Sequence, residues 1–159
     1  MMRDISSHNL LARNELDKLT SQLLSPRSEK ATLRDPTIAF RDLLGEISGL
    51  TEGTTYYEDL QNTTLAGGLA IAPRDAIRSI LDYYRTVQYL RGTHAAISKA
   101  RQKLSRAPLE VLYAGCGPFA PFALALATKF SPEEVRFTLL DVHSRSLETA
   151  KHIFEVMGL

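Results

Sequence analysis

A chain of 159 residues, 44% hydrophobic and 23% charged, is long enough to bury one real core and has the make-up of an ordinary globular protein. Its net charge of +1, split into a small basic excess before Leu109 and a small acidic excess after it, excludes the basic stripe of a nucleic-acid binder. The sequence holds neither an apolar run of membrane-spanning length nor a signal-peptide pattern, and its single cysteine, Cys116, excludes an internal disulfide framework; a reducing, cytoplasmic setting away from membranes is expected.

Leu10, Leu11, Leu16, Leu19, Leu23 and Leu24 recur at helical spacing behind Ser6 or Ser7 as cap, and Ser25-Pro26 ends that helix. After a polar linker, Asp35-Pro36 reads as an N-cap with proline in the first turn. The helix it opens carries Ile38, Leu43, Leu44 and Ile47 and stops near Gly49. Residues 51–72 are turn-rich, with Gly53, Tyr56, Tyr57 and Gly67-Gly68. Pro73 starts the longest periodic segment, with Ile77, Ile80, Leu81, Tyr84, Val87 and Leu90 on one face and a continuation through Ile97 to Leu104. The first 108 residues thus read as all-helical.

At Pro108 the pattern changes. Leu109 to Ala114 is an apolar run of strand length, broken by Gly115-Cys116-Gly117-Pro118 and followed by a helix with Phe122, Leu124, Leu126, Ala127 and Phe130. Val135 to Leu140 is a second strand ending in Asp141, and a last helix runs from Ser144 to a stop at Gly158. Strand, glycine turn, helix, strand, acid and helix make a βαβ unit whose strands should be parallel. The expected fold is therefore α/β: a helical region or lid over 1–107, then an incomplete Rossmann-like parallel sheet over 108–159.

Open α/β sheets bind ligands at the carboxyl ends of their strands. Gly115 and Gly117 allow a sharp turn and close approach of a ligand, and the next helix offers free N–H groups to electron-rich atoms. Asp141 is placed to accept from both hydroxyls of a ribose. Together they describe a nucleoside pocket. Gly115 to Ala120 also satisfies the dinucleotide pattern G-x-G-x-x-G/A, but Asp141 follows Gly115 by 26 residues, somewhat beyond the usual spacing of about 20, and a long helical region precedes the first strand.

The segment Val111 to Pro118, with Leu139-Leu140-Asp141, resembles the first two motifs of class I S-adenosylmethionine-dependent methyltransferases. The resemblance covers about fifty residues. It implies S-adenosylmethionine or S-adenosylhomocysteine as ligand, with Gly115, Cys116 and Gly117 at the amino-acid end, Asp141 on the ribose and His143 near the adenine. The chain departs from the family where Tyr113 stands in place of an acid beside the cofactor and Phe119 in place of a third glycine. Upstream, Tyr56-Tyr57-Glu58-Asp59 and the segment from Asp82 to Tyr89 resemble the cofactor-covering helices of protein arginine methyltransferases. That likeness implies that Arg85 pairs with the methionine carboxylate and that Tyr57 closes the lid; on residues alone, Arg85 reads equally well as a surface arginine.

Cys116 has no spaced histidine–acid pair and reads as a small residue in a glycine turn, not as a nucleophile. His8, His94 and His152 lack metal-ligand spacing. The full family fold has further strands, which carry its catalytic and acceptor-contacting residues. The expectation is therefore the cofactor-binding portion of a methyltransferase, inactive alone, as a fragment or as half of an enzyme completed by self-association or a partner chain. The alternatives are an NAD(P)-binding oxidoreductase fragment and a non-catalytic helical interaction protein with a vestigial nucleotide site. The methyl acceptor and the catalytic residues are left open.

Overall fold

The computed structural model describes residues 2–26, 32–50, 61–104 and 107–159. Among these described residues, six helices and four strands follow in the order α1 (Met2–Leu24), α2 (Arg34–Ser48), β1 (Thr63–Leu65), β2 (Gly68–Ala70), α3 (Pro73–Ser79), α4 (Tyr83–Lys103), β3 (Leu109–Ala114), α5 (Pro121–Ala127), β4 (Val135–Leu140) and α6 (Ser144–Met157).

The stop signals act as the residue types require. Gly49 and Gly158 end α2 and α6 with φ of 69° and 61°, the left-handed conformation that closes helices. α2 starts at Arg34, with Asp35 in its first turn instead of at the cap; Thr37 Oγ1 donates to the Leu33 carbonyl at 2.7 Å. Arg91 of α4 reaches back to α1, donating to the Leu23 carbonyl at 2.8 Å and the Ser25 carbonyl at 2.5 Å. The Leu23 carbonyl in the last turn of α1, which has no partner inside the helix, is thereby satisfied.

Two expectations for the first 108 residues are corrected. The segment from Pro73 to Leu104 is two helices, because Asp82 caps the second: its carboxylate accepts from Arg85 N at 3.3 Å. Thr86 Oγ1 fastens the break by donating to the Ile80 carbonyl at 3.0 Å. Tyr84 falls on an exposed face of α4, and Thr86, Val87, Leu90 and Ile97 form the buried one. The region is also not all-helical. β1 and β2 form an antiparallel hairpin, Thr63 opposite Ala70 and Leu65 opposite Gly68, joined by the two residues Ala66-Gly67.

β3 and β4 are parallel, in register from Leu109 opposite Val135 to Ala114 opposite Leu140. The inward residues Val111 and Phe137 pack against a core of Leu16, Leu23, Phe40, Leu44, Leu90, Leu124, Leu126, Ile153 and Met157. That core draws on α1, α2, α4, α5 and α6, so the N-terminal helices and the βαβ unit share one buried interior. Lys129, just past α5, seals the contact with α1 through Asp17 Oδ1 at 2.5 Å and Ser21 Oγ at 2.7 Å. The opposite face of the pair, with Leu112 and Leu140, is exposed. The protein is thus mixed helix and sheet, and among the described residues no helix is long and apolar enough to cross a membrane.

Candidate functional site

A cleft of about 700 Å3 opens at the carboxyl ends of β3 and β4. One wall is the glycine turn with Asp141 to His143, and the other is the hairpin with the starts of α3 and α4. Gly115 and Gly117 take φ of 68° and 63°, which a side chain would strain. At Gly117 space matters as well, since a Cβ there would lie 3.3 Å from the Ala76 Cβ on α3.

The turn's N–H groups point inward. Gly115 N and Cys116 N both donate to the Leu140 carbonyl, at 2.8 and 3.2 Å, and Gly117 N donates to Asp141 Oδ2 at 2.8 Å. These donors are engaged within the protein, and α5, whose start was expected to offer free N–H groups, adds none at its first position because Pro121 has no N–H. A turn that follows one strand and borrows acceptors from the end of the next binds the two strand ends together.

Asp141 sits at the centre of this wiring with only 8% of its side chain exposed. Besides Gly117 N it accepts from His143 N at 2.9 Å and from the His143 ring Nδ1 at 3.2 Å, both on Oδ1. The other ring nitrogen, Nε2, lies 3.1 Å from Thr63 Oγ1 on the hairpin. Ser146, in the first turn of α6, also lines the cleft; it is 1% exposed and its hydroxyl has no hydrogen-bond partner.

Of the expected site residues, Tyr113, Gly115, Cys116, Gly117, Asp141, His143 and Arg85 all line this one cleft. Tyr57 lies outside the described residues. The Arg85 guanidinium donates to the Ser79 carbonyl at 3.1 Å and stands 3.6 Å from Asp82 Oδ2, yet half of the side chain stays exposed at the cleft. Tyr113 stacks on Phe122 at 5.7 Å between ring centres, and Phe122 stacks on Tyr89 at 6.1 Å. Burial, with Cys116 and Asp141 nearby, pushes the Tyr113 phenol well above its usual range, so it is a neutral hydroxyl.

Cys116 packs its side chain into a small buried cluster with Ala120, Ala123 and Ala150. Burial, and then the Asp141 charge, pushes its thiol up to about 11. A protonated, buried thiol is no nucleophile at neutral pH.

The reading from residues passed over Leu65, Leu69, Ile71, Tyr89 and Phe122, which also line the cleft, and Thr63, which joins the site through the His143 ring. A signal existed for two groups of these. Tyr89 follows Arg85 by one helical turn, and the hairpin is marked by Thr-Thr-Leu and Gly-Leu-Ala around a two-residue connection. Phe122 carries no comparable mark. Among the described residues no cluster of His, Cys, Asp and Glu is placed to hold a metal ion. No family model, curated protein or solved structure matches the chain.

Proposed function

We propose that the cleft is an S-adenosylmethionine site and that the chain is the cofactor-binding portion of a class I methyltransferase, built on the first strands of a Rossmann-like sheet. The observation that carries this reading is the junction at the parallel strand ends: a turn with two left-handed glycines, hydrogen-bonded through Gly117 N to the acid that ends the next strand. Ligands of open parallel sheets sit at that edge.

The residues fit the nucleoside end of such a ligand. Asp141 keeps an acceptor position on Oδ2 for a ribose hydroxyl, and the unpartnered Ser146 hydroxyl belongs to the same cleft, where an unsatisfied buried group costs ~1–3 kcal/mol. Arg85 presents a guanidinium for the amino-acid carboxylate. Asp141 is the one carboxylate among the described lining residues, so the ammonium group finds no second acid. The inward N–H groups favour this reading over a dinucleotide, whose pyrophosphate needs such donors turned outward.

When bound, S-adenosylmethionine supplies a methyl group activated on a sulfonium. The chain's own work is alignment. Asp141 and Arg85 fix the two ends of the ligand, Gly115 and Gly117 let it approach the backbone, and the hairpin leucines shield it from water. Groups that bind the acceptor are assigned to further sequence, a partner chain or a second copy. The exposed Leu112 and Leu140 support this, because parallel sheets are normally covered on both faces.

Calorimetric titration with S-adenosylhomocysteine, and with NAD in parallel, tests the proposal. Micromolar binding of the first and none of the second is the expected result. Binding of NAD alone would move the chain to the oxidoreductases, and binding of neither would favour a vestigial site in a helical interaction protein.

A further inference from the structure

A carboxylate offers about four acceptor positions, two on each oxygen. On Asp141, Oδ1 already accepts twice, from the backbone and the ring of His143, and Oδ2 accepts once, from Gly117 N. One position is open. A ligand that hydrogen-bonds both oxygens through neighbouring hydroxyls needs a second. Of the three bonds in place, the ring contact at 3.2 Å is the longest, and it alone is released by turning a side chain without moving backbone.

That ring also holds the hairpin. An ionised carboxylate only accepts, so Nδ1 carries the proton, and in the neutral ring Nε2 accepts from the Thr63 hydroxyl 3.1 Å away. In a protonated ring Nε2–H would donate to the same oxygen, so the chain of contacts survives either charge state. Among the described residues the hairpin has little else to hold it. Residues 64–69 are all exposed, and at its base Asn62 Oδ1 accepts from Ala72 N at 2.7 Å. Leu65, Leu69 and Ile71, each close to half exposed or more, stand over the cleft.

We infer that Thr63 and His143 form a latch. His143 occupies Asp141 and, through Thr63, holds the hairpin across the cleft mouth; a ligand whose hydroxyls take both oxygens of Asp141 turns the ring away and frees the hairpin. The latch stands on the contacts alone, and its release by a diol rests on the nucleoside reading above. His143 is on this account a competitor for Asp141, not a wall of the adenine pocket.

Hydrogen exchange of the wild type, Thr63→Val and His143→Ala without added ligand, followed by titration of S-adenosylhomocysteine into the wild type and His143→Ala, tests both halves. Loss of one hydrogen bond should speed exchange over residues 62–71 about 3- to 10-fold in both variants, with α2 and α6 unchanged as evidence of an intact fold. His143→Ala should bind S-adenosylhomocysteine about 3- to 10-fold more tightly than the wild type. Unchanged exchange over 62–71 overturns the latch, whatever the ligand does. Faster exchange with weaker binding overturns the release, since His143 would then be positioning Asp141 for the ligand. If the wild type and the variant both fail to bind, the nucleoside reading and the release fall together, and the exchange data still decide the latch.

Discussion

The inner wall of the cleft stands on a buried foundation. Its turn joins β3 to α5, and Ala123, Leu124, Ala125 and Leu126 of that helix are almost wholly inside the protein. The outer wall, the β1–β2 hairpin, has strands of three residues and an exposed run from Thr64 to Leu69. An isolated two-stranded hairpin is marginal in water, so its position depends on side-chain ties at its base. Rigid geometry is thus concentrated where the polar end of a ligand would be read, and the cover is left to a short, exposed element. Ligand-binding loops and lids are drawn from the low-stability end of a protein for this reason.

Substitutions on the two walls should therefore differ in kind. Leu124→Ala, under the inner wall, empties part of a sealed core and should cost ~2–5 kcal/mol in denaturant unfolding. Asp141→Ala comes next. It strands the N–H groups of Gly117 and His143, should cost ~1–3 kcal/mol, and should weaken S-adenosylhomocysteine at least tenfold by calorimetry. Gly117→Ala should destabilise by ~1–2 kcal/mol through its left-handed backbone, and by more than Gly115→Ala, which has the same strain but open space around its Cβ.

The Cys116 thiol gives a pH signature of the inner wall. Its pKa is raised on folding from 9.0 to about 11, so the folded state favours the neutral thiol. That contribution is complete below pH 9.0 and is lost as pH climbs toward about 11. Cys116→Ala should flatten this part of the stability curve, measured by thermal melts across that window. The smallest effect belongs to the outer wall: Leu69→Ser, on an exposed hairpin residue, should shift stability by no more than ~0.5 kcal/mol. A large loss there would erase the contrast between the walls.

The same contrast explains what was legible in the residues. The parallel pair, its glycine turn and the helix stops are written in local signals that packing then reinforces: apolar runs of strand length, Gly115 and Gly117, Gly49 and Gly158. The hairpin was only faintly legible: Thr-Thr-Leu and Gly-Leu-Ala flank a two-residue connection, but strands of three residues carry almost no periodicity, and Gly67-Gly68 reads equally as a plain loop. The break at Asp82 was hidden because Ile77, Ile80, Leu81, Val87 and Leu90 keep helical spacing across it, and only the capping carboxylate marks it. Arg85 was found at the cleft, but Phe122, which also lines it, and Thr63, which meets His143 beside it, come from distant segments that only the fold brings together. Nor does the spacing of Gly117, Asp141 and His143 disclose that the acid is already engaged by its own turn; that needs the hydrogen bonds.

The most direct test of the central claim is an amide correlation spectrum of the labelled protein, recorded while S-adenosylhomocysteine is added. The account predicts that shifts concentrate at residues 115–117, at 141–146 and on the hairpin 63–71, with the helices α1 and α2 unmoved. Shifts scattered over α1 and α2, or none at Gly117 and Asp141 at saturating ligand, would contradict the assignment of this cleft as the cofactor site.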